Sequence, residues 1–233
     1  MASPRGYGDK GVVVNIGKRR AGRGRRSAAV LGLAALALLL AFPAAAATRI
    51  LAFGDSLTAG LGLPASQAFP ARLQALLAAE GLAVEVVNAG VSGDTSADGL
   101  ARLDWAMAGH PDAMLVELGA NDALRGIDPK LTYANLDQIL ARLKASGVKA
   151  MLLGMLAPSN WGDAYRQEFD AIYRRLADKY QVPLYPFILD GVALDPGLTQ
   201  PDGLHPNAAG AEIIAERLTP YVARFLRGAG GRG

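Results

Sequence analysis

From residue 48 onward, short apolar segments alternate with segments that carry apolar residues at helical spacing. This alternation predicts a parallel β-sheet with helices on both faces, because successive parallel strands need a crossover segment between them. We predict strands over residues 49–53, 83–87, 113–118, 148–153 and 184–186. We predict helices over residues 68–79, 95–108, 132–145, 163–180 and 208–226. The chain is therefore expected to form one α/β domain.

Glycine and polar residues follow directly after several of the predicted strands. Gly54-Asp55-Ser56 comes after the first strand, Asn88-Ala89-Gly90 after the second and Gly119-Ala120-Asn121-Asp122 after the third. The carboxyl ends of parallel strands meet at one edge of a sheet, and such sheets bind their ligands at that edge. We therefore expect the functional site to be assembled from these segments.

The N-terminal segment differs in composition from the rest of the chain. Residues 1–27 hold eight Lys or Arg and one acid, residues 28–42 are uncharged and apolar, and residues 43–47 are Pro and alanines. A basic start, an apolar core and a small-residue end predict a secretory signal peptide cleaved after Ala47. The alternative is an uncleaved anchor, but the apolar run is shorter than the ~20 residues that span a bilayer.

Cleavage at this point leaves residues 48–227 as the folded domain and residues 228–233 as a disordered tail. We expect this domain to be periplasmic or secreted, monomeric and without a stable membrane anchor.

The formal net charge of +3 comes from the N-terminal segment. Without residues 1–47, the chain retains 16 basic and 20 acidic residues, so its net charge is −4. The basic character therefore belongs to export, and no nucleic-acid partner is expected. The chain has no Cys, which excludes disulfides and a thiolate nucleophile.

The chain has two histidines, so histidine-dependent chemistry must use one of them. His110 precedes the third predicted strand, at the amino end of the sheet, and we interpret it as a surface loop residue. His205 follows Asp202 by three residues in a turn-rich stretch before the last helix. A carboxylate at this spacing can fold back onto the ring and stabilise the imidazolium, although an ordinary solvated turn has the same pattern.

Ser56 opens a glycine-rich turn after the first strand and is the candidate nucleophile. The same position suits a helix N-cap, so a structural interpretation stays open. The G-x-S-x-G elbow of α/β-hydrolases is not met because position 58 is Thr. A serine so near the start of the domain also argues against that fold.

Acyl transfer needs hydrogen-bond donors aimed at the developing oxyanion. Gly93 follows the second strand and offers a backbone N–H, and Asn121 follows the third strand and offers its side-chain amide. A turn glycine and an Asx turn are the alternative interpretations of these two residues.

These residues occur in the order serine, glycine, asparagine, histidine, each after a strand. The blocks Gly54-Asp55-Ser56-Leu57, Gly93, Gly119-Ala120-Asn121-Asp122 and Asp202-Gly203-Leu204-His205-Pro206 resemble those of the SGNH or GDSL hydrolase family. Residues 91–96, 115–119 and 121–126 are similar to its exported bacterial thioesterase, lysophospholipase and arylesterase branch.

The resemblance implies a flavodoxin-like three-layer α/β/α domain with a five-stranded parallel sheet and a shallow, open site. It implies Ser56 as nucleophile, His205 as general base and Asp202 as the partner of His205. The oxyanion donors would be the backbone N–H of Ser56, Gly93 and the amide of Asn121.

Asp55 and Asp122 also belong to the matching blocks, and we interpret both as structural. They are expected to brace the site loops through hydrogen bonds to the backbone. No cofactor is implied, and no metal is needed or indicated by a ligand cluster.

The expected activity is hydrolysis of short- to medium-chain acyl esters, with thioesters and lysophospholipids as secondary substrates. Leu57, Leu156 and Trp161 are candidate substrate contacts in an apolar groove, although Trp161 equally suits a core or rim position. Leu61 and Leu63 are expected to line the same groove. The alternatives are an acyl or acetyl transferase or esterase acting on glycans, and a non-catalytic lipid- or carbohydrate-binding protein.

Overall fold

Five parallel strands form one sheet in the computed structural model, which describes residues 47–228. The strands are β1 (Thr48–Gly54), β2 (Val84–Gly90), β3 (Ala113–Glu117), β4 (Lys149–Leu153) and β5 (Leu184–Tyr185). The predicted signal peptide, apart from Ala47, and the predicted tail beyond residue 228 lie outside the described residues.

The spatial order of the strands is β2-β1-β3-β4-β5. After β1 the chain first adds β2 on one side and then crosses to the other side for β3 and the later strands. The direction of winding therefore reverses beside β1, and doubly wound sheets have their ligand crevice at such a reversal. The central strands β1 and β3 are almost entirely buried, whereas the edge strand β2 is half-exposed.

Helices cover both faces of the sheet. Within residues 47–228 they are α1 (Ser56–Ala59), α2 (Phe69–Ala79), α3 (Ser96–Met107), α4 (Ala120–Leu124), α5 (Pro129–Ala145), α6 (Asp163–Tyr180) and α7 (Ala208–Leu226). The helix pair α2 and α7 packs together, and α3, α5 and α6 form a second packed group. No helix in this part of the chain is both long and apolar enough to cross a membrane.

The predicted three-layer α/β architecture is confirmed, and every predicted strand and helix is present. The helices α6 and α7 have the predicted ends, and the other elements are shifted at one or both ends. The helix predicted from residue 132 begins three residues earlier, because Pro129 occupies its first turn and Asp128 accepts a hydrogen bond from the N–H of Lys130. The second strand reaches Gly90 because it stays paired with β1 to the end of that strand. The short helices α1 and α4 were not predicted, since five residues or fewer carry no helical periodicity.

Gly90 allows α1 to lie directly on the end of β2. A Cβ atom on this glycine would stand 2.2 Å from the backbone nitrogen of Ala59 and 2.7 Å from the carbonyl carbon of Thr58. Both of these are backbone atoms of the segment that carries Ser56, so neither can swing aside. Gly90 therefore sets how closely the turn after β1 approaches the sheet.

We expect Gly90→Ala to lower the free energy of unfolding by about 1–3 kcal/mol, because the added methyl group overlaps backbone. Urea denaturation followed by circular dichroism measures this change. Gly109→Ala is the matched control, since its Cβ would meet the carbonyl oxygen of Ala106 at an ordinary 3.6 Å. Equal stability of the two variants would contradict this account of Gly90.

Candidate active site

Ser56, His205 and Asp202 form one continuous chain of hydrogen bonds. The Nε2 atom of His205 lies 2.9 Å from the hydroxyl oxygen of Ser56. On the other side of the ring, Nδ1 lies 2.6 Å from the Oδ2 atom of Asp202. The structure thus brings together a hydroxyl, an imidazole and a carboxylate that lie at opposite ends of the domain sequence.

Ser56 occupies the sharp turn between β1 and α1. Asp55 is the residue that caps α1, and its Oδ1 accepts a hydrogen bond from the N–H of Leu57 at 3.0 Å. The interpretation of Ser56 as a helix N-cap is therefore wrong. Its hydroxyl instead faces His205, and its side chain is at the first position of a helix that ends after one turn at Gly60.

Asp202 is held by three contacts that favour its ionised form. Its Oδ1 accepts hydrogen bonds from the N–H groups of Leu204 and His205 at 2.9 and 3.0 Å. The hydrogen bonds from the backbone and ring of His205, followed by that from Leu204, lower the pKa of Asp202 to about 2. Asp202 is therefore a carboxylate at neutral pH, and the ring of His205 has a fixed anionic neighbour.

The loop that carries His205 is tied to the loop that follows Ser56. Gln200 donates from Nε2 to the carbonyl oxygen of Leu61 at 2.7 Å and to that of Pro206 at 2.9 Å. This link spans 139 positions of sequence. Sequence reasoning missed Gln200, because nothing in its local pattern indicates a partner in the first loop.

Gly93 and Asn121 lie in the loops that border this chain of hydrogen bonds. Gly93 has a φ of 91°, and neither its N–H nor that of Ser56 donates a hydrogen bond within residues 47–228. The Nδ2 atom of Asn121 donates to the carbonyl oxygen of Asp94 at 3.0 Å and to Oδ2 of Asp55 at 3.3 Å. Asn121 thus bonds across loops and forms no Asx turn.

A second carboxyl group, that of Glu117, is buried directly behind the turn that carries Ser56. Its Oε2 accepts hydrogen bonds from the hydroxyl of Thr58 at 2.8 Å and from the N–H of Asp55 at 3.3 Å. Burial raises the pKa of Asp55 to about 6, against the opposing effect of hydrogen bonds from Leu57, Glu117 and Asn121. Burial and the neighbouring Asp55 raise the pKa of Glu117 well above its ordinary value.

Asp122 connects three segments around the site. One carboxylate oxygen accepts from the N–H of Ser96 at 2.8 Å, and the other accepts from the hydroxyls of Ser96 and Thr132 at 2.5 and 2.9 Å. The expectation that Asp55 and Asp122 hydrogen-bond to the backbone of site loops is confirmed for both residues.

The guanidinium of Arg102, on α3, contacts the end of β1 and the segment that follows β2. Arg102 pairs with Asp94 at 2.5 Å and donates to the carbonyl oxygen of Gly54 at 2.8 Å. Its guanidinium carbon lies 4.1 Å from the centre of the Phe53 ring. Arg102 therefore connects the end of β1 to the loop that contains Gly93.

A small apolar cavity of about 10 Å³ adjoins Ser56 and His205, which is room for about one water molecule. Its lining residues are Ser56, Leu57, Gly60, Leu61, Leu63, Phe69, His205, Pro206, Ala211 and Ile214. The predicted groove residues Leu57, Leu61 and Leu63 thus lie beside the hydrogen-bonded chain.

Leu156 and Trp161 do not line this cavity within the described part of the chain. Both are 45% exposed, on the segment between β4 and α6. The indole N–H of Trp161 donates to the carbonyl oxygen of Ala123 at 2.8 Å, and its ring covers Gly126. Trp161 therefore occupies a rim position over the loop after α4, and its contact with substrate stays a prediction.

His110 lies exposed in the loop before β3, at the amino end of the sheet, as the sequence predicted. Within residues 47–228, no group of three or more His, Cys, Asp or Glu side chains is arranged to hold a metal ion.

The sequence profile of the GDSL-like Lipase/Acylhydrolase family matches residues 52–213. The chain is 45% identical over 190 residues to "Thioesterase 1/protease 1/lysophospholipase L1" of Escherichia coli K12, covering 79% of this chain and 90% of that protein. It is 39% identical over 196 residues to the arylesterase of Vibrio mimicus, covering 82% and 98%. The solved structure of AlinE4, an SGNH-hydrolase family esterase, superposes with a TM-score of 0.66 at 44% identity, covering 77% of this chain and 97% of that one.

We expect Asp122→Ala to lower the free energy of unfolding by at least about 3 kcal/mol, because three buried donors lose their acceptor. Asp98→Ala is the matched control: Asp98 is exposed and accepts from the N–H of Thr95 in a capping box, and its loss should cost about 1 kcal/mol. Urea denaturation of both variants checks the ranking, and a smaller loss for Asp122→Ala would show that the network carries little stability.

Proposed function

This chain belongs to the GDSL-like lipase/acylhydrolase family and is an ester hydrolase of that type, and we propose that Ser56, His205 and Asp202 form its catalytic triad. The observation that carries the proposal is the hydrogen-bond chain from the Ser56 hydroxyl through His205 to Asp202. A nucleophile, a base and an orienting carboxylate in contact are the arrangement that acyl transfer requires.

In the first step, Nε2 of His205 takes the proton from Ser56 as the hydroxyl oxygen attacks the carbonyl carbon of the ester. The Asp202 carboxylate on Nδ1 holds the ring proton on that nitrogen, so Nε2 is left with its lone pair towards Ser56. The imidazolium that forms is stabilised by the same carboxylate. Asp202 is ionised throughout the neutral range, which suits it to this role.

The tetrahedral oxyanion is bound by the backbone N–H groups of Ser56 and Gly93 and by the side-chain amide of Asn121. Support comes from the two N–H groups, which have no acceptor in the described chain, and from the anchored amide of Asn121. Donors held in place before the reaction need no reorganisation when the charge develops.

Collapse of the intermediate transfers the proton from His205 to the leaving alcohol and leaves an acyl group on Ser56. A water molecule then enters, gives its proton to His205 and attacks the acyl carbon. Breakdown of the second intermediate releases the carboxylic acid and returns the proton to Ser56. The side chains named here supply every proton transfer in this cycle.

We propose that the substrates are short- to medium-chain acyl esters, with thioesters and lysophospholipids as secondary substrates. The apolar cavity beside Ser56 has room for little more than one carbon of an acyl chain, so the rest of the chain must extend over the open surface. The thioesterase and lysophospholipase activities in the name of the Escherichia coli relative support the secondary substrates.

We propose that the enzyme works outside the cytoplasm as a monomer, after removal of residues 1–47. The basic, apolar and small-residue order of that segment supports export. The net charge of −4 on the remainder argues against retention by anionic lipid or nucleic acid.

Ser56→Ala should lower the hydrolysis of p-nitrophenyl esters by at least about a thousandfold, because it removes the hydroxyl that faces Nε2 of His205. The measurement is kcat/KM across a series of acyl chain lengths, with the maximum expected at short to medium chains. Ser66→Ala, on an exposed turn, is the control and should retain wild-type rates. Equal activity in wild type and Ser56→Ala would refute the triad.

Asn121→Ala should lower kcat by about 10²–10³ with little change in KM, because the amide is proposed to act on the oxyanion more than on the bound ester. Steady-state kinetics on the preferred p-nitrophenyl ester test this split. Asn160→Ala, exposed on the segment before α6, is the control. A raised KM with unchanged kcat would assign Asn121 to ground-state binding instead.

A further inference from the structure

Glu117 ends the central strand β3 with its carboxyl group sealed beneath the nucleophile turn. The side chain is 1% exposed, although it is an acid at the end of an otherwise apolar strand. Gly54 is its register partner on β1, and a Cβ on Gly54 would stand 2.5 Å from Oε2 of Glu117. The glycine before Asp55 and Ser56 therefore leaves the space that this carboxyl group fills.

The Glu117 carboxyl group reaches two parts of the turn that carries Ser56. It accepts from the N–H of Asp55 at 3.3 Å and from the hydroxyl of Thr58 at 2.8 Å, both through Oε2, and Asp55 is as fully buried as Glu117. Asp55 in turn accepts from the N–H of Leu57 and from the amide of Asn121. The proposed nucleophile and the proposed oxyanion donor thus share one buried support.

Two neighbouring carboxyl groups cannot both be ionised at low cost in a buried site. The charged and titratable groups around the pair are engaged elsewhere, apart from the buried Nη1 atom of Arg102, which has no hydrogen-bond partner in the described chain. Arg102 of α3 pairs with Asp94, Tyr173 of α6 donates to Leu118, Asp122 of α4 binds Ser96, and His205 binds Asp202. Since none of these contacts neutralises the pair, a shared proton is what lowers its charge from −2 to −1.

We propose that Glu117 is a positioning residue that acts as a neutral acid, donating its proton from Oε1 to the Asp55 carboxylate and so fixing Asp55 against Leu57 and Asn121. Oε2 accepts both of the other hydrogen bonds, which leaves Oε1 to carry the proton. The proposal rests on the assignment of Ser56 and Asn121 to the reaction given above.

The single negative charge matters because an oxyanion forms in front of the pair. A neutral Glu117 holds Asp55 in place without adding a second negative charge that would oppose the intermediate. The remaining charge on Asp55 attracts the imidazolium of His205. Loss of the shared proton at alkaline pH should therefore lower kcat.

The variants Glu117→Gln and Glu117→Leu distinguish hydrogen bonding by a neutral Glu117 from simple filling of space by its side chain. Glutamine presents an acceptor to Thr58 and Asp55 N–H and a donor to the Asp55 carboxylate, as the neutral acid does. We expect Glu117→Gln to keep kcat within about tenfold of wild type and to lose the alkaline fall in kcat. We expect Glu117→Leu to lower kcat about a hundredfold through misplacement of the turn. Thr58→Val, which removes one partner of Oε2, should give a smaller loss.

The proposal is overturned if Glu117→Gln is as inactive as Glu117→Leu, since the carboxylate itself would then be required. It is also overturned if Glu117→Gln is active but keeps the alkaline fall of wild type. Infrared spectroscopy supplies a readout that does not depend on activity. The carbonyl stretching band of a protonated carboxylic acid should be present in wild type at neutral pH and absent in Glu117→Gln.

The infrared result separates failure of this proposal from failure of the triad. A protonated band that Glu117→Gln leaves unchanged overturns the assignment of the proton to Glu117, whatever the kinetics of Ser56→Ala. Loss of the band, with Ser56→Ala as active as wild type, overturns the triad and leaves the state of Glu117 as proposed.

Discussion

The site depends on one row of the sheet in which three strands end together. Gly54 of β1 is paired with Gly90 of β2 on one side and with Glu117 of β3 on the other. Because these pairs are in register, the segments that follow leave the sheet at the same level. Ser56, Gly93 and Asn121 come from those three segments, so their proximity is set by strand pairing before any side chain is considered.

The residues of that row determine how closely the turn that carries Ser56 packs on the sheet. The two glycines leave room for different neighbours: Gly90 for the backbone of α1, and Gly54 for the carboxyl group of Glu117. Larger residues at either position would push the turn that carries Ser56 away from its neighbours. A buried acid in place of an apolar side chain is destabilising by itself, and here it is compensated by hydrogen bonds from Thr58 and Asp55.

Much of this arrangement could be predicted from the sequence, because strand ends and polar segments coincide along the chain. Ser56, Gly93, Asn121 and His205 were found in this way, and the family assignment followed from their order. Contacts that depend on register or on distant loops could not be predicted, and Glu117 and Gln200 belong to this class. Glu117 reads as a single polar residue in an apolar run, and its partners become visible only when Gly54 is known to lie opposite. The cavity beside Ser56 likewise depends on α2 and α7, which supply Phe69 and Ile214.

The distance in sequence between Ser56 and His205 has a consequence for the chain before it folds. The two side chains are 149 positions apart, and the link between their loops through Gln200 is almost as long-range. Closing so long a stretch of chain costs entropy that is recovered only when the distant segments pack together. An unfolded or partly synthesised chain therefore holds Ser56 apart from His205. Under the proposed triad, such a chain is chemically silent towards the esters around it.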